Sequence, residues 1–184
     1  MMLLLLMAGC TVTRQIHITY TPGDSSPLAT IKPSKFSLVV QDDCPADEKG
    51  QLAHINKVIF VVDGSVELLL ADALNQELKK AGHQVVENNG ASADAMVKVS
   101  LKRMRIADRQ RGGIQIVTTV LIQADVTVAR IGQENSASRF EVKEINEKTY
   151  TLFGLAPQEG MINKTFHDFV RNMILDPRFI EPLR

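Results

Sequence analysis

The chain has 184 residues, 45% hydrophobic and 23% charged, which suits one domain of ordinary size and leaves no need for a second core. Its 21 basic residues match its 21 acidic ones, so no net field recruits nucleic acid, and that class of function is set aside. Two cysteines, Cys10 and Cys44, rule out a disulfide framework.

Residues Met1 to Met7 form an uncharged apolar run that ends in Ala8-Gly9-Cys10. Small residues ahead of a cysteine suit a peptidase site, and the thiol behind them is the nucleophile that takes up a diacylglycerol. We therefore expect a lipoprotein signal peptide over residues 1–9, lipidation at Cys10, and attachment to a membrane of the bacterial envelope. The alternative is an apolar N-terminal strand with an incidental cysteine. The run is too short to span a bilayer, which takes about 20 apolar residues. It lacks the basic opening and the longer apolar segment of a secretory signal, which leaves open whether the true start lies upstream. Thr11, not Asp, follows the cysteine, so the expected location is the outer membrane, facing the periplasm. With Cys10 acylated, Cys44 is expected as a thiol able to pair between chains.

Residues 10–34 read as a tether containing one short strand. Ile16, Ile18 and Tyr20 alternate with polar residues, and the stretch Thr21-Pro22-Gly23-Asp24-Ser25-Ser26-Pro27 then forbids regular pairing. A flexible tether of ~24 residues would hold the folded part roughly 25 to 30 Å from the membrane. Residues 35–184 read as a single domain. A strand over Lys35 to Gln41 sets Phe36, Leu38 and Val40 on one face, and a loop then leads to the β-branched run Val58 to Val62. From Ser65 the period changes. Val66, Leu69, Leu70, Ala73, Leu74, Leu78 and Ala81 recur at helical spacing, with Asp63 or Ser65 as cap and Gly82 as stop.

After a short strand at Gln84 to Val86, Ala95 to Leu101 alternates as a strand, then slips register at Met104 and Ile106, which predicts a bulge near Lys102 and Arg103. Arg109 to Gly113 reads as the hairpin turn. The return arm, Ile114 to Ala129, puts Ile116, Thr118, Val120, Ile122, Ala124, Val126 and Val128 on one face. A third strand covers Ser138 to Tyr150. The second helix runs from Gln158 or Met161 to Leu175, burying Ile162, Phe166, Phe169, Val170 and Met173, and Asp176-Pro177 ends it. Phe179, Ile180 and Leu183 beyond it either close the sheet or form a short docking motif. The fold class that follows is α+β: a two-layer sandwich with two helices on one face of a mixed, mostly antiparallel sheet.

The residues Ala8-Gly9-Cys10, Ile18-Thr19-Tyr20-Thr21-Pro22, the helix leading into Gln84-Val85-Val86, the long hairpin and Asp176-Pro177-Arg178-Phe179 together resemble the YajG-like family of bacterial lipoproteins. The resemblance covers nearly all of the chain beyond the signal and implies an envelope lipoprotein of poorly defined function. The family pattern implies Asp-x-Arg at the end of the first core strand, where this chain has Asp42-Asp43-Cys44. The element order is also similar to that of small envelope lipoproteins that act by binding, which is an analogy of fold.

Catalytic and metal chemistry find little footing. His17, His54, His83 and His167 lack ligand spacing. Asp42, Asp43 and Cys44 read as a turn before Pro45. His167 and Asp168 are neighbours on a helix and point apart. Ser65 after Asp63-Gly64 reads as a cap rather than a nucleophile. No cofactor and no enzymatic activity are expected. The one surface feature is basic: Lys98, Lys102, Arg103, Arg105, Arg109 and Arg111 crowd the hairpin. Arg103, Arg105, Arg109 and Arg111 are the candidate binding residues, for an acidic partner in an envelope protein complex or for anionic lipid. The competing explanation is a solvated strand face whose charges protect a sheet edge. The expected function is a non-catalytic adaptor; the alternative is a lipid or glycolipid binder with a pocket between the two helices and the sheet.

Overall fold

The computed structural model describes residues 12–23, 26–32, 34–45, 51–55, 58–86, 92–111, 115–132, 137–151 and 158–184. Cys10 and residues 1–9, the expected signal segment, lie outside them. In chain order the elements are β1 (Val12–Ile16), α1 (Ser26–Ala29), β2 (Lys35–Asp42), β3 (Gln51–Ile55), β4 (Val58–Val62), α2 (Val66–Lys80), β5 (Gln84–Val86), β6 (Ala95–Arg111), β7 (Gln115–Arg130), β8 (Ser138–Thr151), α3 (Gln158–Leu175) and α4 (Pro177–Ile180), with a closing 3-10 turn at Glu181–Leu183.

The main sheet has five strands in the order β5-β2-β6-β7-β8. β2 runs parallel to both β5 and β6, whereas β6, β7 and β8 form an antiparallel meander. This is the α+β architecture expected, with the mixed part confined to one side. Alternation decides which side faces the core. On β7, Thr118, Val120, Ile122, Ala124, Val126 and Val128 are buried on the helix side. α2 packs on β2 and β5, α3 packs on β7 and β8, and the two helices touch. Phe36, Leu70, Leu74, Phe166, Phe169 and Phe179 fill the layer between them, none more than 1% exposed.

Ser65 caps α2, its hydroxyl accepting from the Leu68 N–H at 3.3 Å, and Gly82 ends the turn beyond it at φ +90°. The bulge also falls where the alternation slips, between Leu101 and Arg103. β6 continues to Arg111, paired with Gln115, so Arg109 to Arg111 are strand rather than turn, while Gly112 and Gly113 lie outside the described residues. Long cross-strand ladders extend a hairpin arm past the point where polar residues suggest a loop.

The expected tether is corrected from Val12 onward. Ile16, Ile18, Leu28 and Ile31 are buried in the main core, and the Pro-rich stretch carries the short helix α1. The strand also lies earlier than expected, at Val12–Ile16, pairing parallel with β4. Residues Ile16 to Tyr20 alternate because they thread beneath α3: the Thr19 N–H donates to Asn163 Oδ1 at 2.8 Å, and Asn163 Nδ2 donates to the His17 carbonyl at 3.2 Å. One asparagine side chain stands in for a partner strand. The region expected as a loop before Val58 contains β3, which completes a second, three-stranded sheet in the order β1-β4-β3.

Candidate functional site

The helix-free side of the main sheet carries the candidate residues. β6 is buried at Val97, Val99 and Leu101 before the bulge and at Met104 and Ile106 after it. The bulge swaps parity, and Arg103, Arg105, Arg109 and Arg111 then share the outer face, all exposed. Arg103 pairs across the ladder with Gln123, Arg105 with Leu121, Arg109 with Val117 and Arg111 with Gln115. None of these partners is acidic, and among the described residues the four guanidiniums make no ion pair. A strand advances about 6.7 Å for each pair of residues, so the row runs for roughly 27 Å.

Lys98 and Lys102 belong to a different environment. Lys102 Nζ lies 3.2 Å from Asp43 Oδ2 and 3.7 Å from Asp125 Oδ2. The Ser100 hydroxyl also donates to Asp43. Those two donors, Ser100 first and Lys102 second, hold the Asp43 carboxyl below the usual carboxylate range. Beside this network lies a hollow of about 580 Å³ whose charged lining is Lys98 and Arg139 against Asp125 and Glu141. Its charges cancel. The uncompensated part of the basic cluster is therefore the distal row, Arg103 to Arg111.

The turn after β2 is built locally. The Cys44 N–H donates to Asp42 Oδ1 at 3.0 Å, and the Asp43 N–H donates to the Leu101 carbonyl at 2.9 Å. That turns Cys44 inward, where its thiol sits 3.8 Å from the Leu101 carbonyl and is 6% exposed. The expectation of a thiol open to pairing between chains is corrected: burial removes it from a second molecule's reach.

A second polar node escaped the sequence reading. Glu77 on α2 is fully buried, and its Oε1 accepts from the Tyr20 hydroxyl at 2.5 Å and the Gly23 N–H at 2.8 Å. Burial first, then the Glu77 hydrogen bond, push the Tyr20 phenol upward from its ordinary value. Tyr20 also stacks on His167, with centroids 4.9 Å apart, and His167 Nε2 meets the Thr21 carbonyl at 2.7 Å. Glu77 lies three and four residues from Leu74 and Ala73, on the buried stripe of its helix, and that spacing is the signal that identifies it. The node fastens the N-terminal segment. The other singled-out side chains have local roles as well: His83 bridges the Leu28 carbonyl and the Ser34 N–H, His17 lies 3.5 Å from Asp63, and Asp168 pairs with Lys164. Among the described residues, no three His, Cys, Asp or Glu side chains gather as a metal site.

Among solved structures, the chain is similar to one described as a homolog of neuraminyllactose-binding hemagglutinin from Helicobacter pylori, with TM-score 0.52 and 8% identity over 91% of this chain and 95% of that one. A protein from Xanthomonas campestris gives TM-score 0.49 and 8% identity over 89% and 90% of the two chains. A minor lipoprotein from Acinetobacter baumannii gives TM-score 0.40 and 12% identity over 76% and 90%. At such identities the first likeness concerns the fold alone. No curated protein matches the chain. The model of the family described as uncharacterized lipoprotein, the YajG family, matches residues 27–184, and the chain belongs to that family of bacterial lipoproteins.

Proposed function

We propose that this lipoprotein is a non-catalytic adaptor, held by lipid on Cys10 at the outer membrane and facing the periplasm, that docks an acidic envelope protein on the helix-free face of its sheet. The observation that carries this reading is the exposed row Arg103, Arg105, Arg109 and Arg111, which meets no carboxylate among the described residues. Guanidinium groups hold carboxylates through two parallel hydrogen bonds, so a row of four on a rigid strand favours an acidic partner surface over a diffuse field. The adaptor is favoured over the lipid binder because aromatic and leucine side chains already occupy the space between helices and sheet.

The test is affinity purification of the full-length lipidated chain from gently solubilised membranes, with proteins and lipids identified beside a Cys10→Ser control and a variant carrying Ser at all four arginines. A stoichiometric protein partner lost from the arginine variant is the expected result. A partner that ignores the arginine changes removes the row as the site, and recovery of anionic lipid without protein replaces the adaptor with the lipid binder.

A further inference from the structure

The five-stranded sheet ends on one side with the three residues of β5 and on the other with the fourteen of β8. Among the described residues no strand pairs with β8 on the side away from β7. A long edge offers a ladder of backbone donors and acceptors to another chain, and proteins commonly blunt such edges with charge. The charges on β8 do something more specific. Arg139, Glu141, Lys143, Ile145, Glu147 and Thr149 alternate along its outer face, and Ile145 at the centre is 48% exposed, one of four large apolar side chains so placed among the described residues.

We infer that β8 is a self-pairing edge, which joins β8 of a second copy antiparallel about a two-fold axis at Ile145. An axis normal to the sheet keeps the outer face outward in both copies, so odd residues must meet odd ones and a slip of one residue is forbidden. In the register centred on Ile145, Ile145 meets Ile145, Lys143 meets Glu147, and Glu147 meets Lys143. On the helix side Glu144 meets Asn146 and Val142 meets Lys148. No like charges face each other. Centring the pair on Glu144 sets that carboxylate against itself and Glu141 against Glu147, and centring it on Asn146 leaves Ile145 opposite Glu147. Like charges exclude the Glu144 register, and the Asn146 register sets Glu144 opposite Lys148 but gives up the central contact of Ile145 with its own copy, so the register centred on Ile145 is selected. Both helical layers then lie on one side of a continuous sheet, and both arginine rows lie on the other.

Residues directly opposite in an antiparallel pair have Cα atoms about 4.5 to 5.5 Å apart, within disulfide range. Oxidation of the full-length chain carrying Ile145→Cys is therefore expected to give a covalent dimer. Thr149→Cys is expected to give none above the unsubstituted chain, because its two copies stand eight residues apart in the register, roughly 27 Å. Sedimentation gives an independent readout: Lys143→Glu or Glu147→Lys alone should weaken self-association about tenfold, and the two together should restore it. A chain that sediments as a monomer at the concentration used for cross-linking overturns the inference. So does cross-linking at Thr149→Cys as readily as at Ile145→Cys, or a double variant no better than either single one.

Discussion

Glu77 puts a carboxylate where its helix would otherwise carry an apolar side chain, and the N-terminal segment supplies the donors that make this tolerable. Its Oε1 takes both the Tyr20 hydroxyl and the Gly23 N–H, while Oε2 is buried and meets no partner among the described residues. Hydrogen bonds to a charged group contribute about 1.5–3 kcal/mol each, and a stranded donor adds its own desolvation cost. Glu77→Ala should therefore lower stability by about 2–4 kcal/mol in urea unfolding, and Tyr20→Phe by about 1–2 kcal/mol. A Glu77→Ala variant as stable as the parent would mean that the node does not fasten the segment. At the other end of the chain, Arg178 donates to Asp176 through Nε at 2.9 Å and Nη2 at 2.7 Å, which holds that carboxyl below its usual range. A depressed carboxyl contributes stability above its ordinary value and loses it as the pH falls through that value toward the folded one. The destabilisation caused by Arg178→Ala should accordingly be largest near neutrality and shrink between about pH 5 and pH 2. A gap that stays constant across that window would assign the effect of Arg178 to its stacking on Phe140, 4.8 Å from the ring centroid.

At the scale of elements, helix ends are set by backbone geometry that one residue controls. Gly82 adopts φ +90°, its N–H reaches the Lys79 carbonyl, and the His83 N–H reaches the Leu78 carbonyl at 2.9 Å. A Cβ at Gly82 would meet nothing within 4 Å, so the cost of Gly82→Ala is conformational alone. It should be about 1–2 kcal/mol by thermal unfolding, with Gly82→Asn closer to the parent because Asn tolerates the left-handed region. Equal losses for the two would place the cost outside the backbone. The two long helices α2 and α3, the long hairpin and its bulge were legible in the sequence because each depends on a local period that its own side chains write, whereas the one-turn helices α1 and α4 are too short to show one. β3 was not, since Gln51-Leu52-Ala53-His54-Ile55 is short, poor in β-branched residues and defined by pairing with β4. Ile16 to Tyr20 misled for the reverse reason: the alternation is real, but Asn163 of α3, far along the chain, supplies its hydrogen bonds. The site divides in the same way. The crowding of basic residues on the hairpin was visible in the sequence, whereas their alignment in one row needed the ladder that carries β6 through Arg109 and Arg111, and the neutralisation of Lys102 needed Asp43 and Asp125 from two other segments.

At the scale of the whole molecule, the core is closed by both ends of the chain rather than by the helices and sheet alone. Phe179, Ile180 and Leu183 seal it from the C-terminal side, as packing residues and not as an exposed motif. Ile16, Ile18, Leu28 and Ile31 seal it from the N-terminal side. Burying an aliphatic side chain contributes about 1.5–3 kcal/mol, so these last four together stand for roughly 6–12 kcal/mol, comparable to the entire stability of a typical domain. Removing them also exposes Glu77 and deprives β4 of its parallel neighbour β1. A chain beginning at Lys35, the boundary that the Pro-rich stretch suggests, should therefore lack a cooperative thermal transition, whereas one beginning at Thr11 should keep it. Cooperative unfolding of the shorter chain near the parent's midpoint would reduce the segment to a passive cover. If the longer chain alone folds, the segment from Val12 onward belongs to the folded unit, joined to it by the β1–β4 pairing and by its own buried side chains, and is not a tether to it.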